Sequence, residues 1–270
     1  MHPRISIHGI CFQGEPYERL GALWRALGAQ RVSLLGPQLA AEGIDAARAA
    51  LAGGPFAVEN VVQPLLAGPL PADPAHWEEP RARLAAVVED AARLGARSVY
   101  VTTGGHGPGT WEENAARFAA LISPVAARAR DLGVALAVEN APFHNADIHI
   151  AHSLRDALAL AELADLHLCI DLFGCWFEAD LRRTLERALP RCALVQVSDY
   201  VFGDRAPAAR AVPGDGQIPL LRLLDWILAA GYEGAFDLEL FGPRIEAEGR
   251  LAAVGRAADR LGEMLVRLGA

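Results

Sequence analysis

The chain has 270 residues, 52% of them hydrophobic, and a formal net charge of −8. That length supports one barrel-sized core or two smaller ones, and the acidic balance argues against a nucleic-acid-binding face. Every basic side chain is an arginine and lysine is absent, which excludes lysine Schiff-base chemistry, a PLP enzyme and a Walker-type phosphate site.

No apolar run reaches membrane-spanning length. Met1 to His8 passes directly into a strand pattern with no signal-peptide core. Cys11, Cys169, Cys175 and Cys192 form no CxxC pair. A reduced, cytoplasmic setting is expected.

Strand-like and helix-like segments alternate along the chain, the pattern of a parallel α/β fold. Arg4 to His8 reads as a strand and Tyr17 to Leu27 as a helix ending at Gly28. Arg31 to Leu35 is a second strand, Ile44 to Leu51 a helix, and Phe56 to Val62 a third strand. The Pro/Gly-rich stretch from Gln63 to Pro74 reads as a long loop over a site. Pro80 to Leu94 is an amphipathic helix closed by Gly95. Ser98 to Thr103 leads through a glycine-rich loop containing His106 into a helix from Trp111 to Leu132.

Val134 to Asn140 is the fifth strand. Ser153 is the expected N-cap of a helix running to Ala164. His167 to Asp171, a helix around Asp180 to Leu189, and Ala193 to Ser198 follow. A long loop then carries Arg205, Arg210 and Pro213 to Gly216. Ile218 to Ala230 reads as a helix, Ala235 to Leu240 as the eighth strand, and Ala247 to Leu268 as one long helix. Eight strands with intervening helices and no linker indicate a single (β/α)8 TIM barrel domain over residues 1–270. The doubly wound alternative needs a glycine-rich first turn, and Gly9 to Gly14 matches GxGxxG poorly; no nicotinamide site is expected.

Barrel active sites lie at the C-terminal strand ends. There the sequence offers Glu139, Asp171, Gln196 and Glu239 from four successive strands. Three carboxylates in one mouth repel each other unless a cation sits among them. This oxygen-rich set suits one Mg²⁺ or Mn²⁺ ion.

The pieces Val138-Glu-Asn140, Cys169-Ile-Asp171, Val195 to Asp199 with Val212 to Gly216, and Gly231 to Glu239 resemble the xylose-isomerase-like barrel superfamily, specifically its sugar phosphate isomerase/epimerase group. The resemblance covers nearly the whole chain. It implies that Glu139, Asp171, Gln196 and Glu239 hold one divalent metal; hydroxypyruvate-isomerase-like members also carry glutamine at the third position. It further implies an isomerase or epimerase of a sugar or related polyhydroxy carbonyl compound. Glu139 and Glu239 would remove and return a proton on opposite sides of one carbon, through a metal-stabilised enediolate.

One departure stands out. Many relatives carry a histidine three residues after the sixth-strand aspartate, where this chain has Gly174. Phe173 and Trp176 make that wall apolar and bulky, which suits a cyclic or partly hydrophobic substrate. His8, His106, His144, Trp176, Arg205 and Arg210 are the candidate substrate contacts, the arginines as clamps for a carboxylate, phosphate or hydroxyl. The alternative activity is a dehydratase of a cyclic keto-polyol, which begins with the same proton removal. A metal-dependent endonuclease would need more histidine ligands and a basic face. A non-catalytic binding subunit would not need the glutamate pair. The expected ligand is a small molecule, with neither nucleic acid nor membrane as partner, and the apolar helices are compatible with a homodimer.

Overall fold

In the computed structural model, which describes residues 1–206 and 208–270, the short apolar runs become parallel strands. They are β1 (Ile5–Ile7), β2 (Arg31–Leu35), β3 (Ala57–Val62), β4 (Ser98–Val101), β5 (Ala135–Glu139), β6 (His167–Asp171) and β7 (Cys192–Val197). A two-stranded antiparallel ladder, β8 (Asp199–Tyr200) with β9 (Arg210–Ala211), follows, and then β10 (Phe236–Leu238). Strands β1 to β7 pair in chain order, and β10 sits between β7 and β1 to close the barrel. The fold is a single TIM barrel of the α/β class.

The helices are α1 (Tyr17–Ala26), α2 (Gly36–Glu42), α3 (Ile44–Leu51), α4 (Glu78–Arg93), α5 (Trp111–Asp131) and α6 (Leu154–Ala164). They continue with α7 (Leu172–Cys175), α8 (Leu181–Ala188), α9 (Leu220–Ala229), α10 (Pro243–Glu248) and α11 (Arg250–Arg267). Alternation along β5 shows how the two cores arise. Leu136 and Val138 join the large apolar layer under the helices, and Ala137 joins a small cluster with Val62, Tyr100, Cys169, Leu194 and Ala235. Successive strand residues point to opposite faces, so the small cluster fills the lumen and Glu139, next in its row, emerges above it.

Three elements differ from the sequence reading. Residues Gly36–Glu42 form a helix, started by a proline in its first turn. The final helix is broken in two at Gly249, whose φ of 91° interrupts the helical path. The loop after β7 is not featureless: it folds back as β8 and β9 and so returns Arg210 to the barrel mouth.

Candidate active site

Glu139 ends β5, Asp171 ends β6 and Glu239 directly follows β10. All three are buried, and one ligand oxygen from each lies within 4.8 Å of the others. The Asn140 side chain fastens two of these strand ends together. Its Nδ2 donates to the Asp171 carbonyl at 2.9 Å, and its Oδ1 accepts from the Asp171 N–H at 3.0 Å. The carboxylates open into a cavity of about 270 Å³ that His8, Tyr100, Thr102, Arg210 and Phe241 also line.

Arg210 reaches into this cluster from β9. Its guanidinium grips Asp171 through both carboxylate oxygens, at 3.2 and 3.0 Å, and donates to the Ser198 hydroxyl at 3.0 Å. The same guanidinium lies between the rings of Phe173 and Phe241, 4.7 and 5.2 Å from their centroids. Its Nη2 is also 2.7 Å from Glu239 Oε2. Among the described residues that oxygen has no hydrogen-bond donor, so the contact is an ion pair without an N–H directed along it.

The electrostatics follow from burial. Glu139 is pushed well above the usual carboxylate range, first by desolvation and then by the charges of Glu239 and Asp171, with Arg210 opposing. Glu239 is pushed up to about 7 by desolvation; Arg210 pulls it down and Asp171 pushes it up. Desolvation alone would lower the Arg210 pKa, but Asp171 and Glu239 outweigh it and the net shift is upward. Arg210 therefore remains a cation, Glu239 can exchange a proton near neutrality, and Glu139 holds its proton more tightly than an ordinary carboxyl.

His8 lies where the sequence reading put it, in the cavity wall. Its Nδ1 accepts from the Ile10 N–H at 3.0 Å, so in the neutral ring Nε2 carries the proton and donates to the Tyr100 hydroxyl at 3.1 Å. Burial lowers its pKa, which favours that neutral form. Gln196 does not join the carboxylates as expected. Its Oε1 accepts from the Cys169 thiol at 3.1 Å and its Nε2 donates to Tyr100 at 3.2 Å. Gln196 pairs in register with Asp171 on one side and Asp237 on the other, so it stands level with Asp171, and what holds its amide away from the carboxylates is its bonds to Cys169 and Tyr100. His106 is exposed and lies outside the cavity. His144, Trp176 and Arg205 line a neighbouring cavity rather than the acidic one. His149 is buried and accepts from the backbone N–H groups of Ile150 and Ala151.

Sequence reasoning missed Tyr100, and it grouped Asp199 with Val212 to Gly216 without giving it a role. Tyr100 accepts from both His8 and Gln196. Its own proton has no assigned acceptor, and burial raises its pKa so far that it stays protonated. The only signal was a lone polar atom in an apolar strand. Asp199 accepts from the N–H groups of Tyr200, Gly214, Gly216 and Ile218 at 2.8 to 3.0 Å. It gathers the loop Pro213 to Gly216, and a Cβ on Gly216 would come within 2.5 Å of that carboxylate. The Gly174 departure also has a cause here. A Cβ on Gly174 would lie 2.8 Å from Asn140 Nδ2, so the clamp between β5 and β6 occupies the space of a side chain.

The set fits a hard divalent cation. Three buried carboxylates converge, and Glu239 Oε2 is a buried acceptor without a hydrogen bond. Arg210 already supplies one positive charge beside Asp171 and Glu239, so a metal would share these two carboxylates with the guanidinium.

A closed parallel barrel with acidic side chains gathered at its C-terminal mouth defines a TIM barrel of the kind that carries its site on the strand ends. The profile of the xylose isomerase-like TIM barrel family matches residues 22–263, and the chain belongs to that family. No curated protein sequence matches it. Among solved structures, protein SMc04130 from Sinorhizobium meliloti 1021 superposes with a TM-score of 0.82 at 22% identity, covering 98% of each chain. D-psicose 3-epimerase from Clostridium cellulolyticum H10, determined with D-tagatose, gives 0.80 at 14% identity over 96% of this chain and 98% of that one. The IolI protein with a bound zinc atom gives 0.80 at 14% identity over 98% of this chain and 99% of that one. At such identities these likenesses show the fold. No helix of the described residues is long and apolar enough to cross a membrane.

Proposed function

We propose that this chain is a divalent-metal-dependent isomerase or epimerase of a sugar or related polyhydroxy carbonyl compound. The observation that carries this reading is the convergence of Glu139, Asp171 and Glu239 in one buried mouth, with both glutamates shifted upward by burial. Family membership supports it, as does the D-psicose 3-epimerase likeness.

Glu139, Asp171 and Glu239 would hold the ion, and Gln196 would stay with Tyr100 and Cys169 beside them. The ion would supply positive charge against the oxygens of an enediolate. One glutamate takes the proton from the carbon next to the carbonyl, and its carboxylate becomes a carboxylic acid. The electron pair of the broken C–H bond moves into the enediolate. The other glutamate, initially protonated, returns a proton to a carbon of that intermediate. Arg210 and the Tyr100 proton donate toward the developing negative oxygen. The buried walls keep bulk water away, which strengthens each of these interactions.

A dehydratase would start with the same proton removal but needs an acid at the β-hydroxyl. Of the two candidates for that acid, His106 is exposed and outside the acidic cavity and His144 lines the neighbouring one; neither lines the acidic cavity itself, so the isomerase reading is favoured. The test uses ketoses in D₂O with added Mn²⁺. Incorporation of deuterium at the carbon next to the carbonyl is expected for the wild type and not for Glu139→Gln or Glu239→Gln. Exchange retained in both variants, or its absence with the wild type across a broad ketose panel, refutes the mechanism. Elemental analysis should find about one ion per chain, lost in Glu239→Gln.

A further inference from the structure

Beside the acidic mouth lies a second cavity of about 520 Å³ that the proton-transfer chemistry leaves unused. Pro142 and His144 wall it on one side, Phe173, Trp176 and Phe177 on another, and Tyr200, Asp204, Arg205, Ala206 and Ala209 on a third. Three loops from successive strand ends thus enclose a pocket rather than a flat face. Trp176 meets Phe177 edge-on at 6.0 Å and stacks on Phe202 at 6.1 Å. Phe177 and Phe202 are 62% and 66% exposed, and with Trp176 they form one contiguous aromatic patch. Arg205 is exposed and forms no ion pair with any described residue, whereas its neighbour Asp204 is held by Arg244 at 2.6 Å.

The two cavities are continuous in their walls. Pro142 lines both. Phe173 lines the aromatic one and packs on the Arg210 guanidinium that grips Asp171. The acidic cavity, at about 270 Å³, is smaller than the roughly 300–1,000 Å³ of ordinary ligand sites. It has room for one sugar unit and not for a second ring.

We propose that the aromatic cavity is a substrate subsite. It takes a second ring with an apolar face, joined to the hydroxy-carbonyl unit whose carbons react between Glu139 and Glu239. Trp176, Phe173 and Phe177 contact the ring face, and Arg205 and His144 meet its polar edge. The enzyme is then selective for glycoside-like, two-ring substrates over free monosaccharides. This rests on the isomerase reading for the identity of the first unit, but the subsite itself is tested by binding alone.

Calorimetric titration would compare methyl β-D-glucopyranoside, phenyl β-D-glucopyranoside and cellobiose on the metal-loaded protein. At least one two-ring probe should bind about tenfold or more tightly than the methyl glycoside, the scale expected for burying one ring. Preference for the phenyl compound indicates an aryl ring, and preference for cellobiose a second sugar. Trp176→Ala and Phe177→Ala should each reduce the ratio toward one; Phe177 is exposed enough that its replacement leaves the fold intact. Equal affinity for all three probes, binding of none, or a ratio that survives both substitutions overturns the proposal. So does a dimer, seen by sedimentation, that Trp176→Ala dissociates without changing the ratio, because the aromatic rim would then serve a second copy of the chain. Ring preference in a protein that exchanges no substrate deuterium would refute the isomerase reading and leave the subsite standing.

Discussion

Arg210 clasps both carboxylate oxygens of Asp171, although 39 residues separate them and they lie on different strands. Neither side chain is more than 7% exposed. A buried ion pair of this kind costs desolvation on both sides, and removing one partner leaves an uncompensated charge. Asp171, Glu139 and Glu239 would then face one another with no cation between them. Arg210→Met is therefore expected to destabilise the metal-free protein by about 3–5 kcal/mol. Added Mn²⁺ should recover a large part of that loss, because the ion replaces the missing charge. Urea denaturation with chelator and with Mn²⁺ measures both. A loss unaffected by the cation would mean the carboxylates do not form a cation site.

Glu239 makes stability depend on pH in a defined direction. Its folded pKa is about 7, raised from the usual 4.5 chiefly by desolvation. The folded state thus holds this proton more tightly than the unfolded chain does. The resulting stabilisation is complete below pH 4.5 and is lost as pH rises through 7. Chelated wild-type protein should lose melting temperature between about pH 5 and pH 8, and Glu239→Gln should show a shallower loss. Equal slopes in wild type and variant would show that Glu239 does not carry the shift.

Gln196 and Tyr100 are joined by a hydrogen bond of 3.2 Å beside the carboxylates. Gln196→Ala should weaken metal binding by about tenfold, as expected for a side chain beside a ligand, and Glu239→Gln, which removes a ligand, should weaken it clearly more. Calorimetric Mn²⁺ titration distinguishes them, and equal losses would return Gln196 to the ligand set. Tyr100→Phe removes the acceptor shared by His8 and Gln196. It should cost about 1–3 kcal/mol of stability by leaving buried donors unpaired, and it should lower the exchange rate more than it raises the ketose KM.

Gly174 and Asn140 should behave as a coupled pair. Gly174→Ala places its Cβ against the Asn140 amide, which is itself engaged with Asp171. About 1–3 kcal/mol of destabilisation is expected, the usual scale of overpacking. The double variant with Asn140→Ala should lose less than the two single losses combined. Strict additivity in a double-mutant cycle would show that the clash is not what keeps residue 174 a glycine.

The sequence by itself determined the barrel and the acidic character of its mouth. Apolar runs of strand length recur between helical segments, and parallel strands buried on both faces leave that trace in any such chain. Glu139, Asp171 and Glu239 were legible because a carboxylate at the tip of an apolar strand has few inexpensive explanations. Gln196 looked equivalent in sequence, but its amide is taken up by Cys169 on β6 and Tyr100 on β4, partners that only the closed sheet brings beside it. Arg205 and Arg210 could not be separated by reading, since both fall in one loop. The β8–β9 ladder turns Arg210 inward onto Asp171 and leaves Arg205 exposed over the aromatic cavity. Only tertiary structure decides which groups meet across distant parts of the chain, because those meetings depend on how the barrel closes and where its loops fold back.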